Sequence, residues 1–275
     1  MSTRILLTND DGIDSPGIAV LRRAVEGLGA VTTIAPASNN SGVARSITID
    51  RALHLDPVAF GGGWEGTSCD GTPADCVRVG FLGIDAPLPD LVVAGINMGP
   101  NLGSDVSYSG TVGAAFEAAL RGRPGIAFSV HSRRPGWLEE AAPLARVIVK
   151  RVIAHGLPPC SVLNVNLPDR PLSEVAGIRP ARLSGASCHD RVFLSGDGNG
   201  HVPLSGASLG VADAPPATFV CSPESRDSRV GELADDADLI AEGYVAVTPL
   251  RYDLLDAALL RDLDSWDLEL EHLHA

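Results

Sequence analysis

"RILLTNDDGIDSPGIAVLRRAVEGLGAVTTIAP", Arg4 to Pro36, decides the fold. "RILLT" is an apolar run of strand length, and Asn9, Asp10, Asp11 and Gly12 follow it as turn-forming residues. Ser15 and Pro16 then supply an N-cap and a favoured first helical residue. Ile18, Leu21, Val25 and Leu28 recur at helical spacing up to Gly29, which closes the helix. "VTTIAP" is a second strand, ended by Pro36. Strand, helix and strand in that order make a right-handed βαβ unit with parallel strands.

The alternation continues outward from this unit. After the polar loop "ASNNSG", residues 37–42, "SITID" alternates as a strand should, and a Gly-rich passage leads to "GTPADCVRVGFLG". There Thr72, Pro73 and Asp75 open a capped helix that runs to Gly83. "DLVVAGIN" is a continuous apolar strand of the kind buried on both faces. "TVGAAFEAALRG" places Val112, Ala115, Phe116, Ala119 and Leu120 on one helical face; "GIAFSV" is a strand, Leu138 to His155 a helix ended by Gly156, and "SVLNVNLP" a strand. The expected class is α/β: a Rossmann-like, mostly parallel sheet flanked by helices across residues 1–182. Residues 183–234 break every periodic pattern and leave "RVFLSG" and "ATFVCSP" as strands of a hairpin-bearing excursion. Residues 235–275 return to helix, strand and an amphipathic C-terminal helix, "LLDAALLRDLDSW".

The 275 residues, 45% hydrophobic and 4% aromatic, suit a compact α/β protein. A formal charge of −13 opposes phosphate backbones and anionic bilayers, so neither a nucleic-acid duplex nor a membrane is an expected partner. A small anionic substrate would need a local reversal of sign, which a bound divalent cation supplies. Five cysteines, odd in number and without a C-x-x-C pair, point to reduced thiols rather than a disulfide framework or a structural zinc. With no secretory h-region after Met1 and no long uncharged apolar run, the expected location is the cytoplasm.

Adjacent side chains on a regular strand point to opposite faces, so Asp10 and Asp11 converge only if the backbone turns, as Gly12 allows. Two converging carboxylates repel unless a cation holds both ionised, and hard oxygen donors select Mg, Ca or Mn. Taken alone, "NDDG" reads equally well as a turn or capping pair. Ser41 and Asn97, however, follow other strands of the same sheet, so four oxygen-bearing side chains can meet at its carboxyl edge. Downstream of Asn97 and Asn101, Ser109, Gly110 and Thr111 precede a helix whose free N–H groups make an anion site. A simple N-cap is the alternative, and without a Lys the stretch is no Walker A loop. The seven histidines are scattered without metal-binding spacing, and Tyr108 reads either as packing or as a base-stacking ring.

These residues resemble the SurE (survival protein E) family of metal-dependent nucleotidases. The resemblance rests on "ILLTNDDGIDSPGI", "APASNNSG" with "RSITI", "GTPADCV", "GINMGPNLGSDVSYSGTVGAAFEAA", "NVNLP" and "GYVAVTPL". It implies one divalent metal per subunit, Mg or Mn, held by Asp10, Asp11, Ser41 and Asn97. It implies further a phosphate contacted by Asn101, Ser109, Gly110 and Thr111, and hydrolysis of nucleoside 5′- and 3′-monophosphates. A homodimer or homotetramer with exchanged C-terminal segments is implied as well. The stretch "IRPARLSGASCHDRVFLSGDGNGHVPLSG" departs from the family's basic and aromatic pattern. In the expected mechanism a cation polarises the phosphoryl group while Asp10 or Asp11, with Asp10 favoured, handles the attacking water.

Two other readings compete. A non-catalytic nucleotide-binding module would use the same sheet, but N-D-D-G stands where G-x-G-x-x-G belongs. A phosphatase forming an aspartyl-phosphate generally separates its two aspartates by one residue, whereas Asp10 and Asp11 are adjacent.

Overall fold

The computed structural model describes residues 2–83, 87–185, 233–263 and 265–266. Among these, nine strands form one sheet: β1 (Arg4–Thr8), β2 (Ala30–Pro36), β3 (Leu55–Phe60), β4 (Trp64–Cys69), β5 (Leu91–Met98), β6 (Gly125–Val130), β7 (Ser161–Leu167), β8 (Gly177–Pro180) and β9 (Tyr244–Arg251). The helices are α1 (Pro16–Val25), α2 (Pro73–Leu82), α3 (Gly110–Leu120), α4 (Ala141–His155), α5 (Asp236–Ala241) and α6 (Ala257–Leu263). The strand order is β3-β4-β2-β1-β5-β6-β7-β9-β8, parallel except where β3 meets β4 and β7 meets β9. The Rossmann-like, mostly parallel sheet is therefore present.

Strand periodicity sorts the core into two layers. Ile5 and Leu7 of β1 pack with Val20, Leu21 and Val25 of α1 and Ile148 and Val149 of α4. Leu6 between them turns to the other face, with Cys76 and Val77 of α2 and Ala114 and Ala118 of α3. Burial of each large apolar side chain contributes about 1.5–3 kcal/mol, so one strand stabilises both helical layers. The chain leaves β1 on one side for β2 and returns on the other as β5, which makes the carboxyl ends of β1 and β5 the switch point of the sheet.

Several elements differ from the sequence reading. "SITID" is not a strand: residues 46–49 have no ladder, Ile49 is 84% exposed, and Thr48 N donates to both carboxylate oxygens of Asp75 at 3.0 and 3.1 Å. The strands of that region are the β3/β4 hairpin, turned at Gly61–Gly63, inside what reads in sequence as a Gly-rich passage. Helix α1 ends at Val25, short of Leu28, and Gly29 instead gives the chain a close approach to β1, since a Cβ there would lie 2.1 Å from Thr3 O. Helix α3 buries Ala114 and Ala118 against α2 as well as Val112, Ala115 and Ala119 on its other side, while Leu120 is exposed. The short strand β8 was not foreseen. The strands read in "RVFLSG" and "ATFVCSP" lie outside the described residues, and of "LLDAALLRDLDSW" the helix takes Ala257–Leu263.

Candidate active site

The β1 carboxyl end turns where the spacing required it. Gly12 takes φ +100°, Ser15 N donates to Gly12 O at 3.1 Å, Asn9 Nδ2 to Gly12 O at 2.7 Å, and Ile13 N to Pro36 O at 2.8 Å. The turn leaves Asp10 3% exposed and Asp11 half-buried. Asn40 N donates to Asp10 O at 2.6 Å, which ties the loop after β2, and Ser41 with it, to the first aspartate.

Asp10 meets the first turn of α3. Thr111 N donates to its Oδ2 at 3.1 Å and Thr111 Oγ1 to its Oδ1 at 2.5 Å. Gly110 permits this approach, because a Cβ there would stand 2.9 Å from the Asp10 Cβ. Part of the anion site expected at this helix end is thus taken by the protein's own carboxylate. Of the four leading N–H groups, Thr111 N is committed to Asp10, Val112 N to the Ser109 Oγ cap at 3.1 Å and Gly113 N to Ser109 O at 2.9 Å. Ser109 is an N-cap, as its bland reading holds, but the cap uses its oxygen as acceptor and leaves its O–H able to donate. Tyr108, next to it, is 67% exposed, so its ring is not core packing.

Asp11 joins the other two loops. Its Oδ2 accepts Met98 N at 3.2 Å and its Oδ1 accepts Asn39 Nδ2 at 3.4 Å. Asn97 is brought to this edge by a bulge in β5: the ladder to β6 gains one residue on the β5 side between Ala94 and Asn97. In consequence Val93 and Ile96, three apart, share one core layer. Gly95 sits in the bulge at φ +120°, with Phe128 O only 2.3 Å from where a Cβ would be. Asn97 Nδ2 then donates to Gly99 O at 2.7 Å, and Ser41 is exposed, its N–H held by Asn39 Oδ1 at 2.8 Å.

Asn101 is buried in an amide cluster. Its N–H donates to Asn166 Oδ1 at 2.9 Å, its O accepts Asn164 Nδ2 at 2.8 Å and Asn166 Nδ2 at 2.9 Å, and its own Nδ2 donates to Ser129 Oγ at 2.7 Å. Sequence reading missed Asn39, Asn40, Ser129, Asn164 and Asn166. The alternation of Asn164 and Asn166 in "NVNLP" was the available signal, since polar residues of one parity mark one face of a strand.

Burial pushes the Asp10 carboxyl up to about 6; the Thr111 bonds oppose this and the neighbouring Asp11 adds to it. Burial also raises Asp11, against the Met98 N–H. Among the described residues neither carboxylate has a Lys, Arg or His partner. A buried carboxylate and a half-buried one beside it, on loops that also carry the Ser41 hydroxyl and the Asn97 amide oxygen, fit a hard divalent cation. No three His, Cys, Asp or Glu gather among the described residues, so the fit depends on that mixed oxygen set.

Fold and site together define the class: a Rossmann-like α/β protein with two adjacent carboxylates at the switch point of its sheet. A model of the family Survival protein SurE matches residues 5–190. The chain is 39% identical over 263 residues to a 5′-nucleotidase SurE of Ectopseudomonas mendocina, covering 96% of this chain and 98% of that protein. It is 40% identical over 275 residues to a 5′-nucleotidase SurE of Rubrobacter xylanophilus, covering 96% and 97%. The crystal structure of the SurE protein from Aquifex aeolicus matches with a TM-score of 0.77 at 36% identity, covering 96% of this chain and 99% of that one. The chain belongs to the SurE family.

Proposed function

We propose that this chain is a divalent-metal-dependent phosphomonoesterase that hydrolyses nucleoside 5′- and 3′-monophosphates to nucleoside and phosphate. The observation that carries the reading is the buried Asp10 carboxylate, set under the first turn of α3 beside Asp11, with no cationic side chain among the described residues to neutralise the pair. The family membership and the printed activity of the relatives support the same substrate class.

Asp10, Asp11, Ser41 and Asn97 are the residues that would hold the cation, Mg or Mn, one per subunit. When bound, such an ion supplies Lewis-acid polarisation and makes water more acidic. The chain's own groups do the rest. Thr111 locks Asp10 in one orientation through two bonds, so that a remaining lone pair can take the proton of the attacking water. Because Asn97 Nδ2 is engaged by Gly99 O, its Oδ1 is the atom for the cation. The phosphate group is met by the Gly110 N–H, the Ser109 O–H and the Asn101 amide, with the positive end of the α3 dipole behind them. Thr111 serves the phosphate through Asp10 rather than by direct donation.

Our reading of the enzyme is a cytoplasmic homodimer or homotetramer. The deciding experiment measures phosphate release from adenosine 5′- and 3′-monophosphate with Mg or Mn, then with EDTA. Release that stops with EDTA and resumes on metal addition is expected. Release unaffected by chelation, or none under any metal, overturns the reading.

A further inference from the structure

Asp236 opens α5, far from Asp10 in sequence, and its carboxylate is fully buried. Its Oδ2 accepts Gly103 N at 3.0 Å, while its Oδ1 accepts Ser184 N and Ala237 N, each at 2.9 Å. Gly103 stands two residues beyond Asn101, inside the loop that ends at the Ser109 cap. That loop is held at its start by the amide cluster around Asn101 and at its end by Ala44 N on Tyr108 O at 2.9 Å. Between those points Asp236 is a buried polar anchor, and Leu102 docks apolar beside it on Leu239, Ile240 and Ala181.

We propose that Asp236 is a positioning residue for substrate phosphate: by fixing Gly103 it sets the path from Asn101 to Ser109 and Gly110. The kinetic side of this claim rests on the phosphomonoesterase reading above; the structural side does not. A carboxylate is needed because three backbone N–H groups approach from two directions and only a group with two acceptor oxygens satisfies them. An amide of the same shape has one acceptor oxygen and turns an NH2 against either Gly103 N or the Ser184 and Ala237 pair.

The same part of the chain carries a built-in control. Arg182 and Asp235 join residues 182–184 to residues 234–236 through Arg182 Nε on Asp235 Oδ1 at 2.5 Å and Arg182 N on Ala234 O at 3.2 Å. Neither of these bonds reaches the 101–110 loop.

The test compares the full wild-type chain with Asp236→Asn and Asp235→Asn. Amide hydrogen exchange across residues 99–112 needs no catalysis and is expected to speed up about tenfold in Asp236→Asn, the size of one lost charge-assisted bond, with Asp235→Asn unchanged. With adenosine 5′-monophosphate and Mn, Asp236→Asn is expected to raise KM, and the inhibition constant of inorganic phosphate, by about tenfold while kcat stays within about twofold. A purely structural residue lowers the folded fraction and with it the apparent kcat, but leaves KM where it was. Asp236→Glu keeps the charge and moves it by one methylene; it is expected to fall between, and it substitutes for Asp236→Asn if that variant does not fold. Unchanged exchange, unchanged KM and phosphate inhibition alongside faster exchange, or an equal KM rise in Asp235→Asn each overturns the proposal. A wild-type chain that releases no phosphate sinks the functional reading alone, and the exchange comparison then decides whether Asp236 holds the loop.

Discussion

Asp10 shows how much one side chain is asked to do. Burial works against its charge, and Thr111 offsets only part of that with two bonds. No Lys, Arg or His among the described residues balances that charge, and a bound cation would. Asp10→Asn preserves shape while removing the charge and the proton acceptor. Turnover of adenosine 5′-monophosphate at saturating Mn should fall by about 10²- to 10⁴-fold, with circular dichroism unchanged. Turnover near wild type would take Asp10 out of the mechanism.

At the scale of elements, two features of β5 decide whether the site exists. Its first end is tied to β1 by Arg4, whose N, Nε and NH2 group all donate to the Asp90 carboxylate, at 3.1, 2.8 and 2.6 Å. The Arg4 guanidinium holds Asp90 down at about 2. A depressed folded-state value means stability present above the unfolded value of about 3.9 and lost as pH falls through the folded one. Both partners are about a third exposed, so solvent screens the pair and its contribution is small. Wild type should therefore unfold at a higher temperature than Asp90→Asn at pH 7, with the gap closing between about pH 4 and pH 2. A gap that persists at pH 2 would assign the difference to packing. The other end of β5 carries the bulge. Gly95→Ala would put a methyl 2.3 Å from Phe128 O at φ +120°. It should cost about 1–3 kcal/mol, seen as a Tm drop of several degrees, and lower the activity by displacing Asn97.

Over the whole molecule, β1 and β5 stand centrally, and three crossover loops converge above them while α6 stays apart. Helix α6 has no buried residue, and Leu254, Leu255, Leu259, Leu260 and Trp266 are all exposed. Exposed apolar residues gathered in this way mark contact surfaces in general, and we propose that α6 contributes to the oligomer interface. Leu259→Glu with Leu260→Glu should lower the solution mass measured by light scattering to that of a smaller assembly. A wild-type mass equal to one chain, or no change in the double variant, would remove α6 from the interface.

The alternation of strand and helix signals, with their caps at Ser15, Thr72 and Ser109, was legible from residues 4 to 36 and 72 to 167 because these signals are local: a side chain's parity or a cap's hydrogen bond needs only near neighbours in sequence. That the loops after β1, β2 and β5, which carry Asp10, Asp11, Ser41 and Asn97, share one edge of the sheet was legible as a possibility, since parallel strands joined by crossovers all end on the same edge. What only the tertiary structure decided was non-local. "SITID" lost its ladder because the Asp75 carboxylate took the Thr48 N–H, and the partner strand it needed lay in a glycine-rich hairpin without a strong pattern of its own. The helix N-terminus read as a phosphate cradle turned out to hold Asp10 as well, and Asp236 reached Gly103 across 133 residues of chain. Periodicity records which face a residue shows; which distant group meets that face is settled by packing, where bulges, close glycine contacts and the hydrogen-bond demands of buried carboxylates compete.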